Sequence, residues 1–364
     1  MNKDIRLMKG NEAIGEAAIR AGCASYFGYP ITPQNELTAY MAANMLPAGR
    51  IFIQAESEVS AINMVYGAAA TGVRAMTSSS SPGISLKQEG ISYLCGADLP
   101  AVVVNVARAG PGLGGITPAQ GDYFQSTRGG GHGDYHTIVL APKGVQEAAD
   151  LTFEAFELSD KYKIPVLVLA DGLIGQMMES VVLPDPVDMA ALPRKPWAVG
   201  HQARDKRGVN HVSSMNLDPA TLEKANLKRE AHYDMVKKEL CRYEEMQVED
   251  ADLVIVAYGT SARVSMSAVQ AGRAKGLKIG LFRPITLWPF PYERIAALAE
   301  KEGRKFLSVE MSMGQMVEDV RLAIRCKRPV LLCSRTGGMV MSQDEVVMKI
   351  MQANDTGGVT DDCV

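Results

Sequence analysis

Two carboxylates stand where an apolar, strand-like run gives way to a helical pattern rich in small residues. The segment "RIFIQAESEVSAINMVYGAAATG" places Glu56 and Glu58 after the run, and the helical pattern covers Ser57–Thr71. A carboxylate at a helix start is favourable by itself, because the helix dipole is positive at that end. The alternative is a buried carboxyl that holds a proton for a heterocyclic nitrogen, since burial and neighbouring groups decide where such a proton lies. The small residues of the helix, Gly67 among them, would let another element pack very close.

A single hydroxyl lies between two prolines in "YPITPQNE", Tyr29–Glu36. Each proline fixes its own φ and keeps the preceding residue out of the α region. The loop is therefore predicted to be rigid and extended, with Thr32 in its middle. One interpretation is a plain proline-stiffened loop with an exposed threonine, and the other is a loop that presents Thr32 to a ligand.

An arginine follows directly after the apolar run "AVVVNVA" and precedes the glycine-rich loop "AGPGLGG". The forked guanidinium of Arg108 would suit a carboxylate ligand. A salt-bridged surface arginine is the alternative interpretation.

The glycine-dense segment "TPAQGDYFQSTRGGGHGDYHTIVLAP" contains Gln120, Asp122, His132 and Asp134. Their spacing matches no metal-binding motif, and the six cysteines form no C-x-x-C pair. We therefore predict no metal site and no iron–sulfur site built by this chain alone. The roles of His132 and Asp134 stay open. The hydroxyl-rich run Thr77–Ser85 could line a pocket or cap the helix that follows it.

Short apolar runs alternate with helical patterns over the first 185 or so residues. Such alternation predicts an α/β fold, a parallel sheet with helices on both faces, whose ligands bind at the carboxyl ends of the strands. The runs are "YFGYP", "RIFIQAE", "RAMTSSS", "AVVVNVAR", "HTIVLAP" and "IPVLVLAD", with helices at Asn11–Ala21, Ser57–Thr71, Ser85–Cys95 and from Gly144. A charged stretch with one helix, "DPATLEKANLKREAHYDMVKKELCRYEEM", precedes a second, smaller α/β unit. The predicted boundaries are 1–190, 191–249 for the charged connector, and 250–364.

The bulk composition excludes several classes of function. The chain has 364 residues and a net charge of −3, which gives no electrostatic reason to expect nucleic-acid binding. No apolar run approaches the roughly 20 residues that a membrane span needs. The first residues have no signal-peptide core. The expectation is a cytoplasmic protein that does not bind membranes.

Three loops together, "YPITPQNE", "QAESEVSAINMVYGAAATG" and "TSSSSPGISLKQEGISYL", resemble the alpha subunit of the 2-oxoacid:ferredoxin oxidoreductases. The resemblance runs through nearly the whole chain and is strongest to the branched-chain type, which uses 2-oxoisovalerate (3-methyl-2-oxobutanoate). It implies a pyrimidine-binding domain of the thiamine-diphosphate-binding fold at 1–190. It also implies a transketolase C-terminal-like α/β domain at 250–364.

The resemblance implies oxidative decarboxylation of a 2-oxoacid to acyl-coenzyme A, with electrons passing to ferredoxin and thiamine diphosphate acting as the electron sink. In the family the cofactor-activating carboxyl stands nine residues before a helix glycine, as Glu58 stands before Gly67. Glu56 is the alternative. Pro30 and Ile31 would contact the cofactor. Thr32 and Arg108 would bind the substrate.

The diphosphate-binding "GDG" pattern with a downstream asparagine is missing, and "ADGLIGQ" matches it only in part. The resemblance therefore implies a beta subunit that carries the diphosphate and Mg²⁺ site. Iron–sulfur clusters would lie in that subunit or in a further ferredoxin-like subunit. The resemblance further implies a gamma subunit, an assembly in which the heterodimer is doubled, and coenzyme A as the co-substrate. The alternatives are 2-oxoglutarate or pyruvate as substrate, a transketolase-type or E1-type thiamine enzyme, and a non-catalytic scaffold subunit.

Overall fold

The computed structural model describes residues 4–200 and 210–355. In these residues the strands are β1 (Ile5–Lys9), β2 (Ser25–Gly28), β3 (Ile51–Gln54), β4 (Ala75–Ser79), β5 (Val102–Ala107), β6 (Ile138–Leu140), β7 (Val166–Asp171), β8 (Met178–Val182), β9 (Tyr243–Met246), β10 (Leu253–Val256), β11 (Ile279–Pro284), β12 (Thr286–Trp288), β13 (Lys305–Glu310) and β14 (Val330–Ser334).

The helices of the same residues are α1 (Gly10–Arg20), α2 (Asn35–Asn44), α3 (Glu58–Ala70), α4 (Pro82–Gly96), α5 (Tyr123–Arg128), α6 (Val145–Tyr162), α7 (Gly172–Gln176), α8 (Pro219–Leu240), α9 (Gly259–Ala274), α10 (Tyr292–Leu298), α11 (Met316–Ile324) and α12 (Gln343–Asp355). A single 3₁₀ turn covers Met189–Ala191. None of these described helices combines the length and the apolar character needed to cross a lipid bilayer.

The larger sheet has seven strands in the spatial order β12–β6–β7–β5–β4–β2–β3, and all of them except β12 run parallel to their neighbours. The α/β prediction is therefore confirmed, and each of the six predicted strands is present. The four helices predicted beside them are present as α1, α3, α4 and α6. Because neighbouring parallel strands end at the same edge, the loops after β2, β3, β4 and β5 meet there.

β1 and β8 pair antiparallel in a separate two-stranded sheet. The smaller of the two main sheets has five strands in the order β14–β13–β10–β11–β9, with β9 antiparallel at its edge. The sequence pattern predicts that the charged helix continues to Met246, and this is wrong for its last residues, because α8 ends at Leu240. Cross-strand contacts favour the strand. Tyr243 stacks on Phe282 with ring centroids 5.0 Å apart, and Glu244 accepts a 2.8 Å hydrogen bond from the buried Arg283.

The strand that follows β11 in the chain belongs to the larger sheet, which the sequence pattern does not predict. The run "FRPITLWPFP" reads as a strand followed by a proline-rich loop, but Thr286–Trp288 within it forms β12 on the edge of the larger sheet. Trp288 is held there by aromatic contacts, stacking on His136 at 4.6 Å and meeting Tyr233 of α8 edge-on at 5.5 Å. The boundaries 1–190, 191–249 and 250–364 stay a prediction.

Two buried polar side chains join the larger sheet to the start of α9. Gln120 donates to the carbonyl of Tyr258 at 2.9 Å and accepts from the hydroxyl of Ser261 at 2.7 Å. Asp171 accepts from the hydroxyl of Thr260 at 2.8 Å and from its backbone N–H at 3.2 Å. The same carboxylate caps α7 by accepting from two backbone N–H groups. The segment "YGTSA" is therefore buried against the larger sheet.

Removing the Asp171 carboxylate should destabilise the protein far more than removing an exposed helix cap. Asp171→Ala leaves several buried donors without partners, which costs about 3 kcal/mol of unfolding free energy. Asp218→Ala is the matched control, since Asp218 caps the exposed start of α8 with a 2.9 Å bond from Thr221 N, and its loss should cost only about 1 kcal/mol. Thermal unfolding of the protein measures both. Equal melting temperatures for the two variants would contradict this account of the junction.

Candidate active site

Glu58 is the buried member of the acidic pair. It is the first residue of α3, only 6% exposed, and no described residue donates a hydrogen bond to its carboxylate. Glu56 is exposed and accepts a 2.6 Å hydrogen bond from the hydroxyl of Ser60. A carboxylate without a donor at a buried position needs an external partner, because burying an unpaired charge is costly. Of the two residues, Glu58 therefore has the environment of a ligand-binding group.

The turn between β4 and α4 closes over Glu58. A methyl group on Gly83 would lie 2.6 Å from Oε1 of Glu58 and 2.0 Å from Oγ of Ser79, so a larger residue there would displace these two side chains. The hydroxyls of Ser79 and Ser80 are buried and have no hydrogen-bond partner. The turn thus brings the unpartnered Ser79 hydroxyl near the Glu58 carboxylate, and the described protein atoms satisfy neither group.

Ser81, at the tip of this turn, adopts φ 21° and ψ −81°, a backbone conformation that costs energy for any residue with a side chain. Three hydrogen bonds hold it there. Its hydroxyl lies 2.6 Å from Oδ2 of Asp122 and 2.9 Å from the backbone N–H of Arg108, while its own N–H donates to Asn105 at 3.1 Å. Burial raises the pKa of Asp122, and the bonds from Ser81 and Asn105 partly offset that rise. The turn is thereby fixed to the end of β5.

Thr32 and Arg108 lie side by side, as their positions after β2 and β5 suggest. The guanidinium of Arg108 donates to the carbonyl of Thr32 at 2.9 Å and to that of Leu113 at 3.0 Å. Arg108 is 7% exposed, and its Nε is buried without a partner. The described contacts of Arg108 thus hold two loops together and use two of its five N–H groups. The surface salt bridge considered for Arg108 is not among them.

The proline-bracketed loop has further anchors. The carbonyl of Pro33 accepts hydrogen bonds from Asn11 and from Gln176, each at 2.8 Å, and both amides also reach the carboxylate of Glu36. Sequence reasoning missed Asn11 and Gln176, because nothing in their local pattern points to the loop. The hydroxyl of Thr32 is half-buried and accepts from Asn35 Nδ2 at 3.2 Å.

The two residues before Thr32 lie nearer the surface. Pro30 is exposed and Ile31 is half-buried, so both can be reached by a ligand or by another chain.

A cavity of about 320 Å³ lies between the end of β5 and the loop after β13. Arg108, Ser81 and Asp122 line it from the larger sheet, and Met311 and Gln315 line it from the smaller one. The cavity offers both a cationic donor and hydroxyl groups, which are the groups that bind small oxyanions.

The histidine-containing turn lies away from Glu58. His132 and Asp134 are exposed, and the backbone carbonyl of His132 accepts a short hydrogen bond from the hydroxyl of Ser92. Ser92 stands nine residues after Gly83 along α4, which corresponds to about 13 Å of helix. Within residues 4–200 and 210–355, no group of three or more His, Cys, Asp or Glu side chains is placed to bind a metal ion.

Comparisons with known proteins show the family to which the chain belongs. Residues 16–260 match the family model described as pyruvate flavodoxin/ferredoxin oxidoreductase, thiamine-diphosphate-binding. Residues 251–346 match the pyruvate:ferredoxin oxidoreductase core domain II. The chain is 53% identical to the ketoisovalerate oxidoreductase subunit VorB of Methanothermobacter thermautotrophicus, over 95% of this chain and 97% of that protein.

Two solved structures are also similar. The 2-oxoglutarate:ferredoxin oxidoreductase of Magnetococcus marinus, solved with 2-oxoglutarate, coenzyme A and succinyl-coenzyme A bound, aligns with a TM-score of 0.83 at 27% identity. The match covers 96% of this chain and 65% of that one, so this chain spans about two thirds of its length. An inactive split-gene transketolase aligns with a TM-score of 0.57 at 14% identity, over 95% of this chain and 98% of that one, which shows a shared fold alone. The thiamine-diphosphate-binding fold and the transketolase-like architecture are thereby confirmed, and the chain belongs to the 2-oxoacid:ferredoxin oxidoreductase family as an alpha-type subunit.

Proposed function

We propose that this chain holds the pyrimidine half of thiamine diphosphate in a heteromeric enzyme that oxidatively decarboxylates a branched-chain 2-oxoacid to acyl-coenzyme A, with electrons passing to ferredoxin. The observation that carries the proposal is the Glu58 carboxylate, buried at the edge of the larger sheet without a hydrogen-bond donor from any described residue. The proposed role of Glu58 is to share a proton with a nitrogen of the pyrimidine ring.

The residues around Glu58 fit an aromatic heterocycle with polar edges. The hydroxyls of Ser79 and Ser80 are buried without partners, and Gly83 leaves room where any side chain would collide with Glu58. When bound, thiamine diphosphate supplies an electron sink for the decarboxylation. This chain's own part is then to orient the ring, to hold the proton at Glu58, and to keep water away from the carboxyl. Pro30 and Ile31 are proposed as contacts at the more open side of the ring.

Thr32 and Arg108 are proposed to bind the carboxylate end of the 2-oxoacid. The Thr32 hydroxyl is half-buried, and the unpartnered Nε of Arg108 lies in a side chain that also lines the adjacent cavity. Because Arg108 already holds the carbonyl of Thr32, the two groups are preorganised, which lowers the reorganisation needed when a substrate arrives.

The branched-chain substrate, 3-methyl-2-oxobutanoate, is proposed from the relatives. Identity is 53% to the ketoisovalerate oxidoreductase subunit, 34% to the 2-oxoglutarate synthase subunit KorA of Methanothermobacter thermautotrophicus, and 27% to the solved 2-oxoglutarate enzyme. Coenzyme A is proposed as co-substrate, in line with the ligands of that solved structure. Pyruvate and 2-oxoglutarate are the alternatives that the assay below distinguishes.

Partner subunits are proposed for the remaining parts of the reaction. Helix α3 exposes Val59, Asn63 and Gly67 at successive helical turns, and no atom lies within 4 Å of a methyl group built on Gly67. Helix α4 exposes Leu86 and Tyr93 beside them. The open backbone at Gly67 allows a second chain to approach closely, and the exposed apolar side chains around it offer that chain a contact surface.

The proposed occupant of this face is a beta subunit with the diphosphate and Mg²⁺ site. The partial match "ADGLIGQ" is unsuited to that site, because its Asp171 carboxylate is used inside this chain. We also propose that the enzyme contains a ferredoxin-like iron–sulfur subunit and a gamma subunit, and that it assembles as a doubled heterodimer. Cytoplasmic location stays a prediction.

Replacing Glu58 should abolish turnover without preventing assembly. Glu58→Gln keeps the size and removes the shared proton, so kcat in the assembled enzyme should fall by roughly 10² to 10⁴-fold, the usual contribution of a positioned acid–base group. Glu56→Gln is the matched control and should keep turnover within about twofold of the unmodified enzyme, since Glu56 is exposed. A scaffold subunit would give full turnover in both variants. A loss confined to Glu56→Gln would reassign the activator to that residue.

Removing the Thr32 hydroxyl should weaken substrate binding. Thr32→Val keeps the shape and removes one hydrogen-bonding group, which should raise KM for the 2-oxoacid or lower kcat/KM by roughly 10 to 100-fold. Thr71→Val, at the exposed end of α3, is the control. Steady-state kinetics of both complexes measure the effect. Unchanged kcat/KM in Thr32→Val would show that the loop is only structural.

Substrate preference should identify the branch of the family. The complex with its partner subunits is assayed with 3-methyl-2-oxobutanoate, pyruvate and 2-oxoglutarate, in the presence of coenzyme A, thiamine diphosphate, Mg²⁺ and a viologen acceptor. We expect the highest kcat/KM for 3-methyl-2-oxobutanoate. A preference for pyruvate or 2-oxoglutarate would correct the substrate. If none of the three acids reduces viologen but a carboligation product forms, a transketolase-type or E1-type reaction would be favoured instead.

A further inference from the structure

A lysine is buried within the packing of α4 on α3, close to the acidic residue of the site. Lys87 has no solvent exposure, and its ammonium nitrogen donates to the hydroxyl of Thr77 at 2.7 Å and to the carbonyl of Ser78 at 3.0 Å. Both acceptors are neutral, and no carboxylate lies within ion-pairing distance of Lys87 among the described residues. Lysine is rarely buried without a paired acid, because its desolvation is costly.

The position of Lys87 follows from helix geometry. Gly83, Lys87 and Gly90 are spaced by four and three residues and so share one face of α4. A methyl group on Gly83 would meet Glu58, and one on Gly90 would meet Ile62 at 2.5 Å, one turn further along α3. Lys87 therefore lies between these two contacts along α4, with its ammonium group bonded to β4 of the larger sheet.

No other ionised group competes for Lys87 from the elements packed around it. The facing part of α3 contributes Glu58, whose charge raises the pKa of Lys87. Strand β4 contributes only the neutral groups of Thr77 and Ser78. Behind them, Tyr26 of β2 bonds to the hydroxyl of Ser78, and burial raises its pKa to about 12, so it is neutral. On α4 itself the nearest acid, Glu89, is exposed.

Burial outweighs the attraction to Glu58 and lowers the pKa of Lys87 to about 7. The amine is accordingly cationic below neutral pH and neutral above it. It has no exposed surface, which excludes it as a nucleophile for a substrate in this conformation. Its remaining influence on the site is electrostatic, acting between the buried amine and the buried Glu58 carboxylate.

We propose that Lys87 is a positioning residue that controls the protonation of Glu58, by placing a switchable positive charge behind the carboxylate at the α3–α4 interface. The inference rests on the proposed function of Glu58. A cationic Lys87 favours the ionised carboxylate, and hence the proton on the cofactor's ring nitrogen. A neutral Lys87 no longer favours the ionised carboxylate. The effect of Lys87 on Glu58 would thus act at and below neutral pH.

The test replaces the charged side chain of Lys87 and measures how activity and cofactor state depend on pH. Lys87→Met keeps the length and apolar stem, and Lys87→Arg keeps a permanent charge. In the assembled enzyme with thiamine diphosphate, we measure kcat/KM from pH 5 to 9 and the near-ultraviolet circular dichroism bands that distinguish the amino and imino forms of the bound pyrimidine. In Lys87→Met the acid-side midpoint of both profiles should move up by about one pH unit, the effect of losing one nearby opposite charge.

The two enzymes should differ mainly below pH 7 and converge as pH rises above it, since a pKa of about 7 makes the Lys87 amine progressively neutral there. Lys87→Arg should show no upward shift. Gln88→Met is the packing control, since Gln88 is buried on the same helix but bonds to the Gly130–Tyr135 loop, and it should leave both midpoints in place. If Lys87→Met does not assemble, Lys87→Gln, which retains a hydrogen-bond donor, takes its place.

A uniform loss of activity at every pH with unmoved midpoints would overturn the proposal and leave Lys87 a structural residue. The experiments distinguish a failure of this inference about Lys87 from a failure of the proposed role of Glu58. Full turnover in Glu58→Gln would refute the role of Glu58 itself. Inactive Glu58→Gln together with an unshifted Lys87→Met would refute only the inference about Lys87.

Discussion

The close approach of α3 and α4 is the constraint on which the rest of the structure depends. A Cβ at Gly83 would meet the side chain of Glu58, one at Gly90 would meet that of Ile62, and the buried Lys87 lies between these two contacts. This packing removes water from the carboxylate and leaves it without a donor from the described chain. A carboxyl in that state has its proton affinity decided by a few neighbouring groups, which is the property that a proton-sharing residue needs.

The edge of the larger sheet turns this local constraint into a site. Strands β2, β4 and β5 are neighbours or nearly so, and the loops that follow them are tied together: Arg108 holds Thr32, and Ser81 holds both Asn105 and Asp122. The strained backbone of Ser81 is maintained by those bonds. The site is therefore built on rigid elements before any ligand arrives, and one of its walls comes from the smaller sheet. A partner chain on the exposed face of α3 and α4 would complete its surroundings.

Local patterns predicted much of this and failed where distant parts of the chain decide the outcome. The apolar strands and the proline-bracketed loop follow from nearest-neighbour preferences, so they could be predicted. Strand β12 could not, because "ITLWPFP" becomes a strand only through pairing with β6 and stacking of Trp288 on His136. Lys87 was missed for a related reason. A lysine in a helix reads as solvated, and only the glycines on either side of it, at spacing four and three, hint at a buried face.

The most direct test of the central claim is a structure of the assembled enzyme with thiamine diphosphate, in which the distance from the Glu58 carboxylate to the pyrimidine ring nitrogen is measured. The account predicts a hydrogen bond of about 2.7 Å between them, with the ring seated against Gly83 and the hydroxyls of Ser79 and Ser80. A cofactor whose pyrimidine contacts Glu56, or one bound wholly by another subunit with Glu58 left unpaired, would contradict it.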